Sequence, residues 1–413
     1  MNILEPVQPV IDEAKIERLL SRGVENIYPT KEKLREALMS GKRLRLYNGI
    51  DPTAPFLHIG HAMQLRKLRE FQELGHEVIM LIGSFTAMIG DPTDKLATRK
   101  QLTKQDVLAN AATYKKQASK ILKFSGPNAA KLMFNDRWLA KMAFEDVIGL
   151  ASHFTVQQMM ERDMFKKRAE EQKPIGIHEF MYPLMQGYDS VAMDVDLEVG
   201  GNDQTFNMLA GRTLLREMKQ KEKFVLAIKL LTNSEGKKMS KSEGGVIALT
   251  DTPEDMFGKI MSMDDSMIVP YFELATDATD DQIDAVKKEL ANGKNPRDIK
   301  MSLAELVTGM YHSGAKAMAA KKHFKQVFTK KEMPDEMREV SIETGLSARA
   351  EGPHTLVSAL VGLEFASSNN EARRLIEQGA ISLDGAKLTD PAQMMSGVRG
   401  VLRCGKLKFV RLV

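Results

Sequence analysis

The chain has 413 residues, 43% of them hydrophobic and 28% charged, with a formal net charge of +4. That length suits two or three domains, and the composition is that of a soluble globular protein. A net charge this small means that any bound polyanion must meet a local basic patch, and Cys404, the single cysteine, excludes an internal disulfide framework and a multi-cysteine zinc site.

At the N-terminus, residues 1–11 include Glu5 and lack the basic-then-apolar pattern of a secretory signal. No apolar run approaches the ~20 residues of a membrane span. The expectation is a cytoplasmic protein, or an organellar one whose targeting segment is not evident. Short apolar runs at Leu44–Tyr47, Val78–Ile82, Leu132–Phe134, Leu197–Val199 and Val225–Leu231 read as strands separated by longer helical stretches. Met63, Leu65, Leu68 and Phe71 fall at helical spacing before a stop at Gly75. Strand, helix, strand with right-handed crossovers predicts a Rossmann-like, doubly wound parallel sheet, with ligands at the carboxyl ends of its strands.

The first strand runs through Tyr47-Asn48-Gly49-Ile50-Asp51-Pro52-Thr53 toward His58-Ile59-Gly60-His61 at a helix start. A helix N-terminus offers unpaired N–H groups and a positive dipole end, which suit phosphate. Gly60 leaves room for a nucleotide against backbone, and His58 and His61 can both face one ligand. Two bland readings stand beside this one: a pair of surface histidines with a packing glycine, and a zinc pair, although the latter is short of ligands. Further on, Tyr182, Gln186 and Asp189 lie at i, i+4 and i+7, so a helix would turn them to one pocket or to solvent. After the last predicted strand comes Gly236-Lys237-Lys238-Met239-Ser240-Lys241-Ser242. Lys238 and Lys241 suit a pyrophosphate, and Gly236, Gly244 and Gly245 would let such a loop close. A solvated basic loop is the alternative.

Beyond this loop the pattern changes. The predicted organisation is a catalytic domain over 1–232 with a connecting insertion around 125–185, then the loop and a helical domain over 233–331. An acidic linker over 332–352 and a small α+β domain over 353–413 follow. Met159, Met160 and Met164 suit a core or a subunit interface. From His354 onward the chain has eight basic residues (Arg373, Arg374, Lys387, Arg399, Arg403, Lys406, Lys408, Arg411) against five acidic ones. That surplus suits a polyanion or a plain solvated face.

Taken in order, the Tyr47–Thr53 segment with His58–His61, Ile89-Gly90-Asp91-Pro92, the Tyr182–Asp189 face, Gly200-Gly201-Asn202-Asp203-Gln204 and Lys238–Ser242 resemble the class I aminoacyl-tRNA synthetases. Within them, the chain resembles the tyrosyl enzymes of bacterial type over nearly its whole length, ending in what looks like an S4 RNA-binding domain. The resemblance implies tyrosine activation by ATP, which arrives with Mg²⁺ and needs no protein metal site, and then transfer to tRNA(Tyr). It implies that Tyr47 and Asp189 bind the phenol hydroxyl of L-tyrosine. Asp91, Tyr182 and Gln186, with Thr86 nearby, would bind the ammonium, and Gln204 would line the same site. For ATP it implies Thr53, His58, His61, Lys238 and Lys241 as catalytic contacts. Gly49, Asp51, Gly60, Gly201, Asp203, Met239, Ser240 and Ser242 would complete that site. Arg373 and Arg374 would face tRNA backbone, the helical domain would reach the anticodon side, and the enzyme would be a homodimer. Two departures stand out: Glu198, where many relatives carry glutamine, and Thr205-Phe206-Asn207, where another branch has an aromatic-glycine pair. A synthetase descendant that only binds RNA and another small-molecule adenylyltransferase are the rival readings.

Overall fold

The computed structural model describes residues 7–92, 102–232, 246–329, 339–341, 354–405 and 408–413. The loop read at 236–242 therefore lies outside the described residues, as does most of the stretch read as a linker. Contacts divide the chain into two units, residues 1–317 and 318–413.

In the first unit, strands β1 (Val24–Tyr28), β2 (Arg45–Ile50), β3 (Glu77–Ile82), β4 (Lys131–Phe134), β5 (Leu197–Gly201) and β6 (Phe224–Ile228) form one sheet in the order β1-β6-β5-β2-β3-β4. β2 to β6 pair in parallel, as the sequence predicts. β1 is antiparallel to β6 at the edge and is not among the predicted strands. Its residues are all partly or fully exposed, and Glu25 and Asn26 interrupt its apolar run, so it carries no alternation to read. The buried strands do show the continuous aliphatic runs of a sheet covered on both faces: in β3, every residue after Glu77 is buried. The helix Ile59–Glu73 crosses between β2 and β3 and buries Ala62, Met63, Leu65, Leu68 and Phe71. Consequently Asp51, Gly83, Asn135, Gly201 and Lys229 all lie at one end of the sheet.

His76 lies just before β3, 1% exposed, and its Nδ1 accepts from the Leu44 amide at 3.2 Å. Burial, with a smaller contribution from nearby Arg43, lowers its pKa from 6.5 to about 4. The unfolded chain therefore binds the extra proton first. The His76 contribution to stability is complete above about pH 6.5 and is lost as pH falls toward 4. Thermal denaturation followed at pH 7 and pH 5 should give a lower midpoint at pH 5, and His76→Gln should flatten that dependence.

The rest of this unit is helical, as predicted: Pro253–Ser262, Ile268–Ala275, Asp280–Ala291 and Pro296–Tyr311. Thr252 caps the first of these by accepting from the Asp255 amide, with Pro253 in the first turn.

In the second unit, the helices Leu356–Gly362 and Asn369–Glu377 pack with a five-stranded sheet. Its strands are β7 (Glu339–Val340), β8 (Ile381–Leu383), β9 (Ala386–Lys387), β10 (Gly400–Cys404) and β11 (Lys408–Leu412), in the order β7-β11-β10-β8-β9. β7 comes from inside the stretch read as a linker. Asp384 and Gly385 turn between β8 and β9 with φ of 48° and 88°, the left-handed pair that a two-residue hairpin needs. Leu356, Leu360, Ile376, Ile381, Leu402 and Val410 make the core. Ala372 and Ile376 hold one face of the helix Asn369–Glu377 inside, leaving Arg373 and Arg374 exposed. Among the described residues, no helix is long and apolar enough to cross a membrane.

Candidate active site

The strand ends open into a cavity of about 280 Å³. Tyr47, Gly49, Asp51, Thr53, His58, Gly60, His61, Thr86, Asp91, Tyr182, Gln186, Asp189, Asp203 and Gln204 all line it. Gly201 stands beside this wall: a Cβ on it would meet Asp203 Oδ1 at 2.4 Å. The site residues predicted within the first unit's described chain are thus gathered in one place, and Arg373 and Arg374 belong to the other unit. Lys238, Met239, Ser240, Lys241 and Ser242 lie outside the described residues, but both flanks of their segment line the cavity, Leu230 and Leu231 on one side and Val246 and Ile247 on the other. The returning flank is tied to the histidine turn. The Ile59 amide donates to the Ile247 carbonyl at 3.0 Å, and the Leu249 amide to the Leu57 carbonyl at 2.8 Å.

At that turn His58 is the N-cap of the helix Ile59–Glu73. Its Nδ1 accepts from the Gly60 amide, and its own amide donates to His61 Nδ1, each at 3.2 Å. The rings stack with centroids 3.7 Å apart. Because backbone N–H groups only donate, both Nδ1 atoms are acceptors and each neutral ring carries its proton on Nε2. Two stacked imidazoles, 24° from parallel, therefore stand at a helix N-terminus with Nε2 as the protonated nitrogen, a setting that suits an anion. Gly60 leaves room for the His58 ring, whose atoms lie 3.1 Å from where a Cβ would sit, so a larger residue would need the ring to shift by a few tenths of an ångström. The loop leading into the turn is held from outside: Asn110 donates to the Pro52 carbonyl, Tyr114 to Ala54 and Gln117 to Pro55, while the Leu57 amide donates to Gln117.

The other end of the cavity is a buried polar cluster. Tyr182, Gln186 and Asp189 do share one face of the helix Ile177–Met193. Asp189, 2% exposed, accepts from Trp138 Nε1 at 2.7 Å and Asn135 Nδ2 at 3.2 Å. Burial pushes its carboxyl well above the usual value, against the pull of those two donors. Asp51 accepts from Thr86 Oγ1 at 2.7 Å and from the Tyr182 hydroxyl at 2.9 Å. Asn135 also donates to Thr86. Asp51, expected among the ATP contacts, is thereby coupled to the residues expected to hold the ammonium. Tyr182, donating to Asp51, keeps a lone pair for an incoming donor. Gln204 Nε2 donates to Asp91 at 2.7 Å, and its Oε1 accepts from Asn207. Arg162, 6% exposed, lies 3.6 Å from Asp91 and stacks between Phe165 and Phe206 at 5.4 and 5.2 Å. The segment Thr205-Phe206-Asn207, a departure from other branches, thus supplies the ring and the amide that orient Arg162 and Gln204.

Tyr47 is fully buried, with its hydroxyl 3.0 Å from Ser190 Oγ. Lys223 donates to Ser190 and pairs with Glu198, the other departure. Burial lowers the Lys223 pKa, with Glu198 opposing it. Sequence reasoning missed Trp138, Asn135, Arg162, Ser190, Lys223 and Gly83. Asn135 and Gly83 were within reach, since each directly follows a predicted strand. A Cβ at Gly83 would lie 1.9 Å from Asp51 Oδ1 and 2.5 Å from Thr86 Oγ1. Gly83→Ala must therefore displace the Asp51 carboxylate or the Thr86 hydroxyl and disturb the bond between them. Expected is a destabilisation of about 1–3 kcal/mol in denaturant titration, together with weaker ligand binding in the cavity.

Comparison with known families identifies the chain's relatives. A family model described as class I tRNA synthetases (W and Y) matches residues 39–329, and one described as a tyrosine–tRNA ligase SYY-like C-terminal domain matches residues 335–410. The tyrosine–tRNA ligase of Moorella thermoacetica is 47% identical over 96% of this chain and 95% of its own. That of Colwellia psychrerythraea is 47% identical over 95% and 97%. In fold, the chain is similar to a truncated mitochondrial tyrosyl-tRNA synthetase of Coccidioides posadasii, with a TM-score of 0.62, 24% identity and coverage of 75% of this chain and 92% of that one. It is also similar to an Archaeoglobus fulgidus tyrosyl-tRNA synthetase complexed with L-tyrosine, with a TM-score of 0.60, 22% identity and coverage of 75% and 100%.

Proposed function

The chain belongs to the tyrosine–tRNA ligase family of class I synthetases, and from that premise we propose how its residues activate tyrosine and charge tRNA. The observation that carries the reading is the two-ended cavity: a phenol-sized polar cluster around Tyr47 and Asp189, and a histidine-lined helix N-terminus at the other end.

L-Tyrosine enters with its phenol between Tyr47 and Asp189 and its ammonium toward Tyr182, Asp91 and Gln186, with Thr86 and Gln204 holding those groups in register. Its carboxylate is already a nucleophile at neutral pH. It attacks the α-phosphorus of ATP, the bond to the β-phosphate oxygen breaks, and pyrophosphate leaves carrying the electron pair. No proton has to be removed, so catalysis rests on positioning and on charge placed where it accumulates. The Nε2–H groups of His58 and His61, with Thr53, donate to the departing phosphates from one side. Lys238 and Lys241 meet them from the other, with Met239, Ser240 and Ser242 shaping that loop. Gly49, Gly60 and Gly201 leave room for the nucleotide, Asp203 accepts from a ribose hydroxyl, and Asp51 braces the Tyr182 side. Mg²⁺ arrives on ATP as part of the substrate. A terminal ribose hydroxyl of tRNA(Tyr) then attacks the adenylate carbonyl and AMP leaves.

The C-terminal sheet, with β7 added from the stretch read as a linker, and its two helices make an S4-like RNA-binding module in this reading, and the helices from residue 252 onward serve the anticodon side. Charge reversal of Arg373 and Arg374 to Glu should weaken tRNA binding strongly at low salt and less at high salt, with tyrosine activation retained; filter binding across a salt series checks this. Exposed Phe144, Ile148, Val156 and Ile177, which are 80, 56, 66 and 78% accessible, support a homodimer. Light scattering that reads the mass of one chain would contradict it. The enzyme works in the cytoplasm, where charged tRNA is used. Incubation with ATP, labelled tyrosine and total tRNA tests the whole reading: label should become acid-precipitable and be released by mild base. Without such transfer the ligase reading fails.

A further inference from the structure

Two buried ions in the pocket wall have no part in the chemistry above. Lys223 and Glu198 have side chains 0% and 2% exposed, and they pair directly. Lys223 Nζ also lies 2.7 Å from Ser190 Oγ, which is 3.0 Å from the Tyr47 hydroxyl. Glu198 Oε1 lies 3.0 Å from Gln186 Nε2. The contacts made by the two ions have a forced direction. An ammonium has protons and no lone pair, so Lys223 donates to Ser190. In the Ser190–Tyr47 contact either hydroxyl can donate, so this link fixes the position of the Tyr47 oxygen and not the direction of the bond. A carboxylate, conversely, only accepts. Glu198 therefore draws the NH₂ end of Gln186 and leaves Oε1 as the atom it offers to the cavity.

We propose that the Lys223–Glu198 pair orients the hydrogen-bonding groups of the amino-acid pocket. Through Ser190, Lys223 holds the Tyr47 hydroxyl in place against the phenol oxygen. Through Gln186, Glu198 turns a carbonyl oxygen toward the substrate ammonium. Both are positioning residues acting through groups that touch substrate, and the inference rests on the tyrosine reading above. A buried ion pair is often replaceable by neutral residues without loss of stability, whereas removing one partner strands a charge. The informative variant is accordingly the double replacement Glu198→Gln with Lys223→Met. Ser190→Ala is its complement, cutting the link to Tyr47 while leaving the ion pair whole.

The test is tyrosine- and phenylalanine-dependent ATP–pyrophosphate exchange with the full-length chain. In the double variant KM for tyrosine should rise about tenfold, and the ratio of kcat/KM for tyrosine over phenylalanine should fall about tenfold, the size of one hydrogen bond. KM for ATP should stay as in the parent. Ser190→Ala should lower the tyrosine-to-phenylalanine ratio by a similar factor. An unchanged ratio in folded variants overturns the proposal. So does an equal loss with both amino acids, which is what a merely structural role gives. If the double variant does not fold, Ser190→Ala decides the matter alone. A parent protein without tyrosine-dependent exchange would instead sink the underlying reading before any variant is compared.

Discussion

Asp189→Asn should lower kcat/KM for tyrosine by about 100- to 1,000-fold while leaving KM for ATP nearly unchanged. The carboxylate accepts from Trp138 and Asn135 on one side and faces the cavity on the other. An amide in its place turns an NH₂ against at least one of those donors and loses the charged bond to the phenol, at about 1.5–3 kcal/mol for such a bond. Discrimination against phenylalanine should narrow at the same time, because the wild-type penalty comes from leaving a buried acceptor unpaired. Tyrosyl enzymes are themselves the reference case for this penalty, and the roughly 10⁵-fold discrimination is the family's own figure. A pH effect of known sign accompanies it. Burial holds the Asp189 pKa above the usual carboxylate value, so KM for tyrosine should rise on acidification at a higher pH than an exposed aspartate would give. Steady-state exchange kinetics between pH 5 and pH 8 measure both effects.

His58→Asn is the second large effect, and the choice of asparagine matters. His58 caps the helix Ile59–Glu73, and asparagine is among the best caps, so the turn keeps its anchor while the Nε2–H donor disappears. If that donor acts on the departing phosphates, kcat for adenylate formation should fall about 100-fold with KM for ATP changed little, the signature of a contact made mainly in the transition state. Single-turnover measurement of tyrosyl-adenylate formation separates the two parameters. A rise in KM alone would assign His58 to ground-state binding. Lys241→Ala should follow the same pattern from the other side of the phosphates.

What was legible in the sequence had a simple physical reason. Buried parallel strands are continuous apolar runs, and the chain just past their carboxyl ends lines the cavity, so Asp51 and Asp203 could be read from chain order, whereas Asp91, which follows the short helix Thr86–Ile89 and not a strand, was reached by motif alone. The shared face of Tyr182, Gln186 and Asp189 followed from helical spacing alone. β1 escaped because an exposed edge strand has no hydrophobic period to betray it, and β7 because two residues are too few. The supporting shell escaped for a different reason. Trp138, Arg162, Ser190 and Lys223 touch the site residues only through packing between distant segments, as with the 33 positions separating Ser190 from Lys223. Lys223 in particular, within a run of charged residues after Lys219, reads as a solvated surface lysine, yet it is buried. Glu198 stood out as a departure, and its meaning emerged only with the partner it faces.

The most direct measurement is ATP–pyrophosphate exchange by the purified full-length chain, run in parallel with tyrosine, phenylalanine and tryptophan. A pocket built around Tyr47 and Asp189 predicts rapid exchange with tyrosine and almost none with the other two. Equal exchange with phenylalanine, or exchange with tryptophan in preference to tyrosine, would contradict it.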